Sequence, residues 1–167
     1  MTRPFNYRIR PAAQSDEPFL WEMLYQSLYV EGQEPFPRDV VQRPHIARYV
    51  KGWGRDGDLG FVAVDEASGQ PIGAVWIRQS GADDPGFAYL DERTPEMGIA
   101  LLPEYRGKGL GGALIERLLE AVKNLYPAIS LSVSPNNRRA IRLYERKGFV
   151  TVDVRNDFPV MRKDLTS

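Results

Sequence analysis

Apolar and polar residues alternate through Tyr7-Arg8-Ile9-Arg10, the period of a first strand. Ser15-Asp16-Glu17-Pro18 then supplies a helix cap with proline in the first turn, and Phe19, Leu20, Met23, Leu24, Ser27 and Leu28 follow at helical spacing. A second helix is predicted from Arg38 to Val50, ending near Gly52. Two apolar runs, Leu59 to Val64 and Pro71 to Ile77, flank a turn at residues 65–70 and read as an antiparallel hairpin. Residues 79–95 are rich in Gly, Asp and Pro and form a long connection, of a length at which loops often carry function. A strand follows from Glu96 to Leu102. After a glycine-rich turn, Leu110, Leu114, Leu118, Val122 and Leu125 fall on one helical stripe, widened into a face by Ile115 and Leu119. Ile129 to Val133 alternates as a strand, Asn136-Asn137 precedes a helix from Arg138 to Lys147, and Gly148 stops it. Residues 149–152 and 160–162 close the chain as two more strands. With no internal repeat and no linker, residues 1–167 are expected to form one α/β domain with a mixed sheet.

Composition narrows the chemistry. The 22 basic and 22 acidic residues cancel, which gives no electrostatic pointer to nucleic acid or to an acidic membrane. No apolar stretch approaches the ~18 residues of a membrane span, and the first eight residues lack the apolar core of a signal peptide. The expected location is cytoplasmic. The absence of cysteine excludes disulfides, thiol nucleophiles and thiolate metal sites. His45 is the only histidine and no Gly-x-Ser-x-Gly elbow accompanies it, so it reads as an ordinary packing or surface residue, and no metal site is expected.

Chemistry concentrates in Gly98-Ile99-Ala100-Leu101-Leu102-Pro103-Glu104-Tyr105-Arg106-Gly107-Lys108-Gly109-Leu110-Gly111-Gly112. An apolar strand breaks at proline, and a glycine turn opens a helix. Bare N–H groups and the positive end of the helix dipole then converge where a pyrophosphate could sit, with no Cβ in the way. Gly107, Gly109 and Gly112 fit the dinucleotide pattern G-x-G-x-x-G, but two hairpin strands precede it, and the next strand ends in Ser134-Pro135-Asn136 instead of an acid. A P-loop fails because Gly109 follows Lys108.

More of the chain is absorbed by a third reading. Arg106-Gly107-Lys108-Gly109-Leu110-Gly111 matches the Gln/Arg-x-x-Gly-x-Gly/Ala signature of the GCN5-related N-acetyltransferases. The run from Asn137 through Ala140, Leu143 and Tyr144 to Gly148-Phe149 resembles that superfamily's second hallmark, and Val160 to Leu165 is similar to its last strand. The element order β-α-α-β-β-β-α-β-α-β-β agrees from Tyr7 to Leu165. The resemblance implies a mixed, mostly antiparallel sheet of six to seven strands flanked by about four helices, with strands four and five splayed. Acetyl-CoA would be the co-substrate in that gap, and a primary amine of a small molecule or peptide the acceptor.

The same resemblance distributes roles. Backbone groups of Ile99, Ala100 and Leu101 would meet the pantetheine arm as an added strand does, and Arg106, Gly107, Lys108, Gly109, Leu110, Gly111 and Gly112 would cradle the pyrophosphate. Tyr144 would protonate the departing sulfur; the alternative is a core aromatic. Asn137 would bond the CoA arm, or serve only as a helix cap. Glu96 is the candidate base, through water, against the alternative of a solvated strand-end acid. An N–H near Leu101 would meet the oxyanion. Arg138, Arg142 and Arg146, with Arg139 alongside, form a stripe that fits a phosphate, an acidic partner or plain solvent. For the acceptor, Trp21, Tyr25, Tyr29, Glu31, Glu34, Phe36, Trp76, Phe87, Tyr89, Asp91 and Glu92 place aromatics beside carboxylates, a combination suited to a cationic amine. Asp83 and Asp84 join the last two in the loop expected to shape specificity. A homodimer is compatible with the family, and a non-catalytic acyl-CoA sensor or an NAD-binding oxidoreductase are the rival readings.

Overall fold

The computed structural model describes residues 5–28 and 32–165. Tyr29 and Glu31 therefore lie outside the described residues. The chain runs β1 (Tyr7–Pro11), α1 (Glu17–Ser27), α2 (Pro44–Ala47), β2 (Leu59–Asp65), β3 (Pro71–Arg78), β4 (Glu96–Leu101), α3 (Leu110–Val122), β5 (Ala128–Ser132), α4 (Arg138–Arg146), β6 (Val150–Arg155) and β7 (Phe158–Asp164). The strands form one seven-stranded sheet in the order β1-β2-β3-β4-β5-β7-β6. Every pairing is antiparallel except β4 with β5, which is parallel.

Period-two alternation distributes the strands' side chains between two cores. Phe61, Ala63, Val75 and Ile77 turn to one face, where Leu110, Leu114, Ile115, Leu118 and Val122 of α3 cover them. Val62, Val64, Ala74 and Trp76 turn to the other, under Leu20, Met23 and Leu24 of α1. Each of these large apolar side chains contributes roughly 1.5–3 kcal/mol on burial. The expected α3 stripe is present as far as Val122. Leu125 departs from it at 60% exposure, because the helix has ended and the chain is turning toward Pro127.

The helix expected over Arg38–Val50 is replaced by a 3₁₀ turn at Arg38–Gln42 and the short α2. Pro44 is the cause: its ring disfavours helical backbone at Arg43, which sits at φ −65°, ψ 132°. Past Ala47 the chain turns repeatedly, with Gly52 and Gly54 at φ +72° and +108°. Val40, Val41, Val50 and Trp53 nonetheless pack against α1, so this irregular segment still closes the second core. The final hairpin is longer than its sequence pattern predicts. Asn156 and Asp157 are both left-handed (φ 50° and 69°), the two-residue turn whose twist suits paired strands.

The feature that positions the site is the contact between β4 and β5. Their register holds a single pair, Glu96 with Ser130, supported by Ser130 N–H donating to Pro95 O at 3.0 Å. Beyond that pair the strands part, as the resemblance implies.

Candidate active site

Backbone alternation decides what β4 presents to the gap. Leu102 N–H donates to Ile72 O at 2.9 Å, and Pro95 O accepts from β5. Even-numbered residues of β4 therefore bond to β3; Met97 faces β5 at the single pair, and the backbone groups of Ile99 and Leu101 face the gap. Ala100 corrects the sequence expectation: its peptide is turned to Ala74 of β3, and only its neighbours can meet an added arm.

The gap leads to the glycine turn. Gly107 (φ +76°) and Gly109 (φ +83°) hold left-handed backbone that side chains resist, and Gly109 caps α3. The first helical bond, Ala113 N–H to Gly109 O at 3.3 Å, leaves the preceding N–H groups in the turn where a helix has no carbonyl to offer. Gly111 and Gly112 do different work. A Cβ there would lie 3.4 Å from Leu143 and from Lys147, so these two glycines let α4 approach α3. The same approach brings Arg139 within 3.6 Å of a Cβ position at Gly107. Arg106 donates to Gln26 Oε1 at 2.9 Å, and Lys108 lies 5.5 Å over the Phe5 ring. Three cations therefore surround an N–H-rich turn.

Helix α4 carries the other two expected residues. Asn137 Oδ1 accepts from Ala140 N–H at 3.2 Å, which makes it the N-cap of α4. Tyr144 is buried edge-on against Phe149, with ring centroids 5.9 Å apart. Burial raises its phenol to about 12, so it stays protonated throughout the neutral range. Arg138, Arg142 and Arg146 are exposed along the outer face.

Glu96 is not the solvated strand-end acid of the alternative reading. It is 5% exposed and accepts hydrogen bonds from Tyr49 Oη (3.1 Å), Ser80 Oγ (3.1 Å) and Ala88 N–H (2.9 Å). The Tyr49 hydroxyl in turn accepts from Phe87 N–H at 2.9 Å, and its titration is raised by burial and by the Glu96 charge. A Cβ on Gly86 would overlap the carboxylate, which is why the loop can close over it only with glycine there. Three donors leave one of the four lone-pair directions of the carboxylate unused.

Glu96 also lines a cavity of about 370 Å³ whose other walls come from residues 48–55 and 78–84. Arg78, at 3% exposure, forms the frame of that wall. Its Nε and Nη2 donate to Asp58 (3.0 and 2.7 Å) and its Nη1 to the carbonyls of Arg48 and Lys51 (3.0 and 2.6 Å). Arg48 reaches the opposite turn, donating to Asp84 and to Pro85 O.

Several residues expected at an acceptor pocket are committed elsewhere. Trp76 is core, its Nε1 donating to Tyr49 O at 3.1 Å. Trp21 donates to Glu17 and Tyr25 to Phe36 O, while Asp91 is engaged within its own turn with Arg93 and Thr94. Phe87 stacks edge-on with Phe158 at 6.0 Å. Tyr49, Ser80, Arg78 and Asp58 carried no local signal in the sequence. They meet Glu96 or one another only through the fold.

Among the described residues no helix is long and apolar enough to cross a membrane, and no group of His, Asp and Glu is placed to hold a metal ion. Residues 21–149 match the acetyltransferase (GNAT) family. The chain is 31% identical over 157 residues to an uncharacterized N-acetyltransferase of Methanocaldococcus jannaschii, covering 89% of this chain and 62% of that one. It is 40% identical over 102 residues to an N-alpha-acetyltransferase of Sulfurisphaera tokodaii, covering 56% of this chain and 58% of the relative. The chain thus spans about three-fifths of the length of these two relatives. In fold it is similar to a chimeric spermidine N-acetyltransferase from Vibrio cholerae, with a TM-score of 0.62 at 24% identity and 95% of both chains covered. The glycine turn, the α4 hallmark and the parted strands thus agree with the sequence match, and the chain belongs to the acetyltransferase (GNAT) family.

Proposed function

We propose that this chain transfers an acetyl group from acetyl-CoA directly to a primary amine of a small molecule or peptide. The observation that carries the reading is the parting of β4 from β5 after a single pair, above the glycine turn. Open backbone groups at Ile99 and Leu101 suit an extended amide-bearing arm, and the turn with Arg106, Lys108 and Arg139 suits a pyrophosphate. The names of the Sulfurisphaera relative and the Vibrio neighbour both specify transfer to nitrogen, which supports an amine acceptor.

The bound thioester supplies an activated acyl carbon. The chain's own groups supply the rest. An amine near its ordinary pKa of ~10.4 must shed a proton before attack. Glu96, with one acceptor direction open to the cavity, receives that proton through water. A gap-facing N–H of β4, at Ile99 or Leu101, stabilises the developing oxyanion. Tyr144, held protonated, delivers a proton to the leaving sulfur. With no cysteine in the chain to carry the acyl group, attack is direct.

Thermal shift with acetyl-CoA, CoA, NAD and ATP is the first test. Saturation at ~100 times Kd adds roughly 2.7 kcal/mol, a Tm rise of about 5–10 °C for a domain of this size. The rise should be confined to the CoA compounds and be followed by amine-dependent thiol release. A rise with NAD or ATP alone overturns the reading. A rise with CoA but no turnover on any amine reassigns the chain as an acyl-CoA sensor.

A further inference from the structure

The cavity beside Glu96 has the wrong charge for a polycation. Arg48, Lys51, Arg55 and Arg78 line it, against only Asp84 and Glu96 among its walls. Two of the cations are spent on the frame, Arg78 on Asp58 and Arg48 on Asp84. The other two are not. Lys51 is exposed and has no carboxylate partner among the described residues. Arg55 is 54% exposed; its Nη2 donates to Gln79 O at 3.3 Å, and its one carboxylate contact among the described residues is Asp58 at 3.9 Å, where Arg78 already holds both oxygens. Burial above all, and then the nearby charges of Arg78 and Arg48, lower the Arg55 guanidinium from its ordinary value.

A second observation lies on the same walls. Gln79 Oε1 is the buried side-chain atom that lacks a hydrogen-bond partner among the described residues. Its amide orientation is set from the other end, since Nε2 donates to Ser80 O at 2.6 Å and to Asp91 O at 3.3 Å. The oxygen is therefore committed to accept, and it awaits an N–H donor. Glu96 supplies a further acceptor in the same cavity. Acceptor oxygens of Glu96 and Gln79 thus belong to one wall of the space and cations to its rim.

We propose that the acceptor is a small amine that also carries an anionic group, carboxylate or phosphate, held by Lys51 and Arg55 while its nitrogen faces Gln79 and Glu96. This rests on the acetyl-transfer reading and narrows it to amino acids and related amino anions. A cavity of about 370 Å³ admits a molecule of that size. Among the described residues, none of the aromatics that pointed to a cationic amine lines this space, and of the loop acids only Asp84 does, where Arg48 answers it.

The test measures kcat/KM by thiol release with amino acids as free acids, the same compounds as carboxamides, aminoethyl phosphate and a simple diamine. Free acids or aminoethyl phosphate should exceed the carboxamides and the diamine by about tenfold or more, the worth of a charge-assisted contact. Preference for the phosphate over every acid identifies phosphate as the anion. In the doubly substituted Lys51→Gln, Arg55→Gln protein the preference should vanish through KM, with kcat changed by less than about threefold. Both side chains are exposed, so the variant folds. Apart from turnover, the preferred anion should raise the Tm of the wild type and not of the variant. If acetyl-CoA raises Tm but amides or diamine match the acids, or no anionic amine turns over, the proposal is overturned. If acetyl-CoA does not raise Tm, the transfer reading has failed and this one with it.

Discussion

The glycine turn and the Glu96 cavity stand at opposite ends of β4 and hold their charges by different means. At the turn, two left-handed glycines and the start of α3 aim backbone N–H groups outward, with cations arranged around them. The cavity instead depends on side chains that are themselves buried, above all Arg78 on Asp58, whose side chains are 3% and 2% exposed. A site made of backbone is fixed by chain geometry and costs little to keep. A site framed by a buried ion pair is only as firm as that pair, since losing one partner strands a charge in the interior.

Substitutions should separate the two ends. The largest effect is expected from Arg78→Met, which leaves Asp58 without its partner and two carbonyls without donors. Denaturant melts should show a loss of about 3–5 kcal/mol, and equal stability would break the contrast. Next comes Gly109→Asp, which sets a side chain on left-handed backbone and a carboxylate beside the N–H groups. Calorimetry should show acetyl-CoA affinity falling ~100-fold or more, with a stability cost of only about 1–2 kcal/mol.

Tyr144→Phe should lower kcat by ~100-fold while leaving the KM for acetyl-CoA within about twofold, the lower end for a proton donor because a thiol leaves readily. Its titration adds a sign. With the folded-state phenol at about 12, above the ordinary ~10, the stability it contributes is complete below pH ~10. That contribution is lost as pH rises toward 12, and the phenylalanine variant should melt with a flatter alkaline slope. The smallest effect is expected from Glu96→Gln, which can keep the bonds from Tyr49 and Ala88 and donate to Ser80. A rate lowered by about tenfold, with its acid limb set by the acceptor amine alone, fits a proton-accepting role. An unchanged pH profile would reduce Glu96 to an anchor of its loop.

What could be read from the residues alone follows the same division. The α3 stripe, the hairpin of β2 and β3, the turn at 107–109 and the cap at Asn137 are local patterns, completed within a few residues. The wall of the cavity is not. Tyr49 reaches Glu96 across 47 positions and Arg78 reaches Asp58 across 20, and no periodicity announces such pairs. Pro44 broke a helix that hydrophobic spacing alone had extended to Val50. The acidic loop misled for a related reason: its Asp84 is answered by Arg48 and its Asp91 by its own turn, so charges that look free in the sequence are spent in the fold. At the glycine run, spacing located the turn but could not tell Gly107 and Gly109, needed for backbone shape, from Gly111 and Gly112, needed for the approach of α4.

The single pair between β4 and β5 has a mechanical meaning as well. It divides the sheet into two plates, β1 to β4 and β5 to β6, each laced by antiparallel ladders and joined along a seam with scarcely a rung. The plates are riveted by side chains instead, through Met97, Ile129, Leu131 and Met161 under α3. Amide exchange should therefore be fast at Ile99 and Leu101 and slow in the ladders on either side. An extended molecule laid along the seam would add the missing rungs, so the ligand that this chain is built to spend would, while it stays, also be its eighth strand.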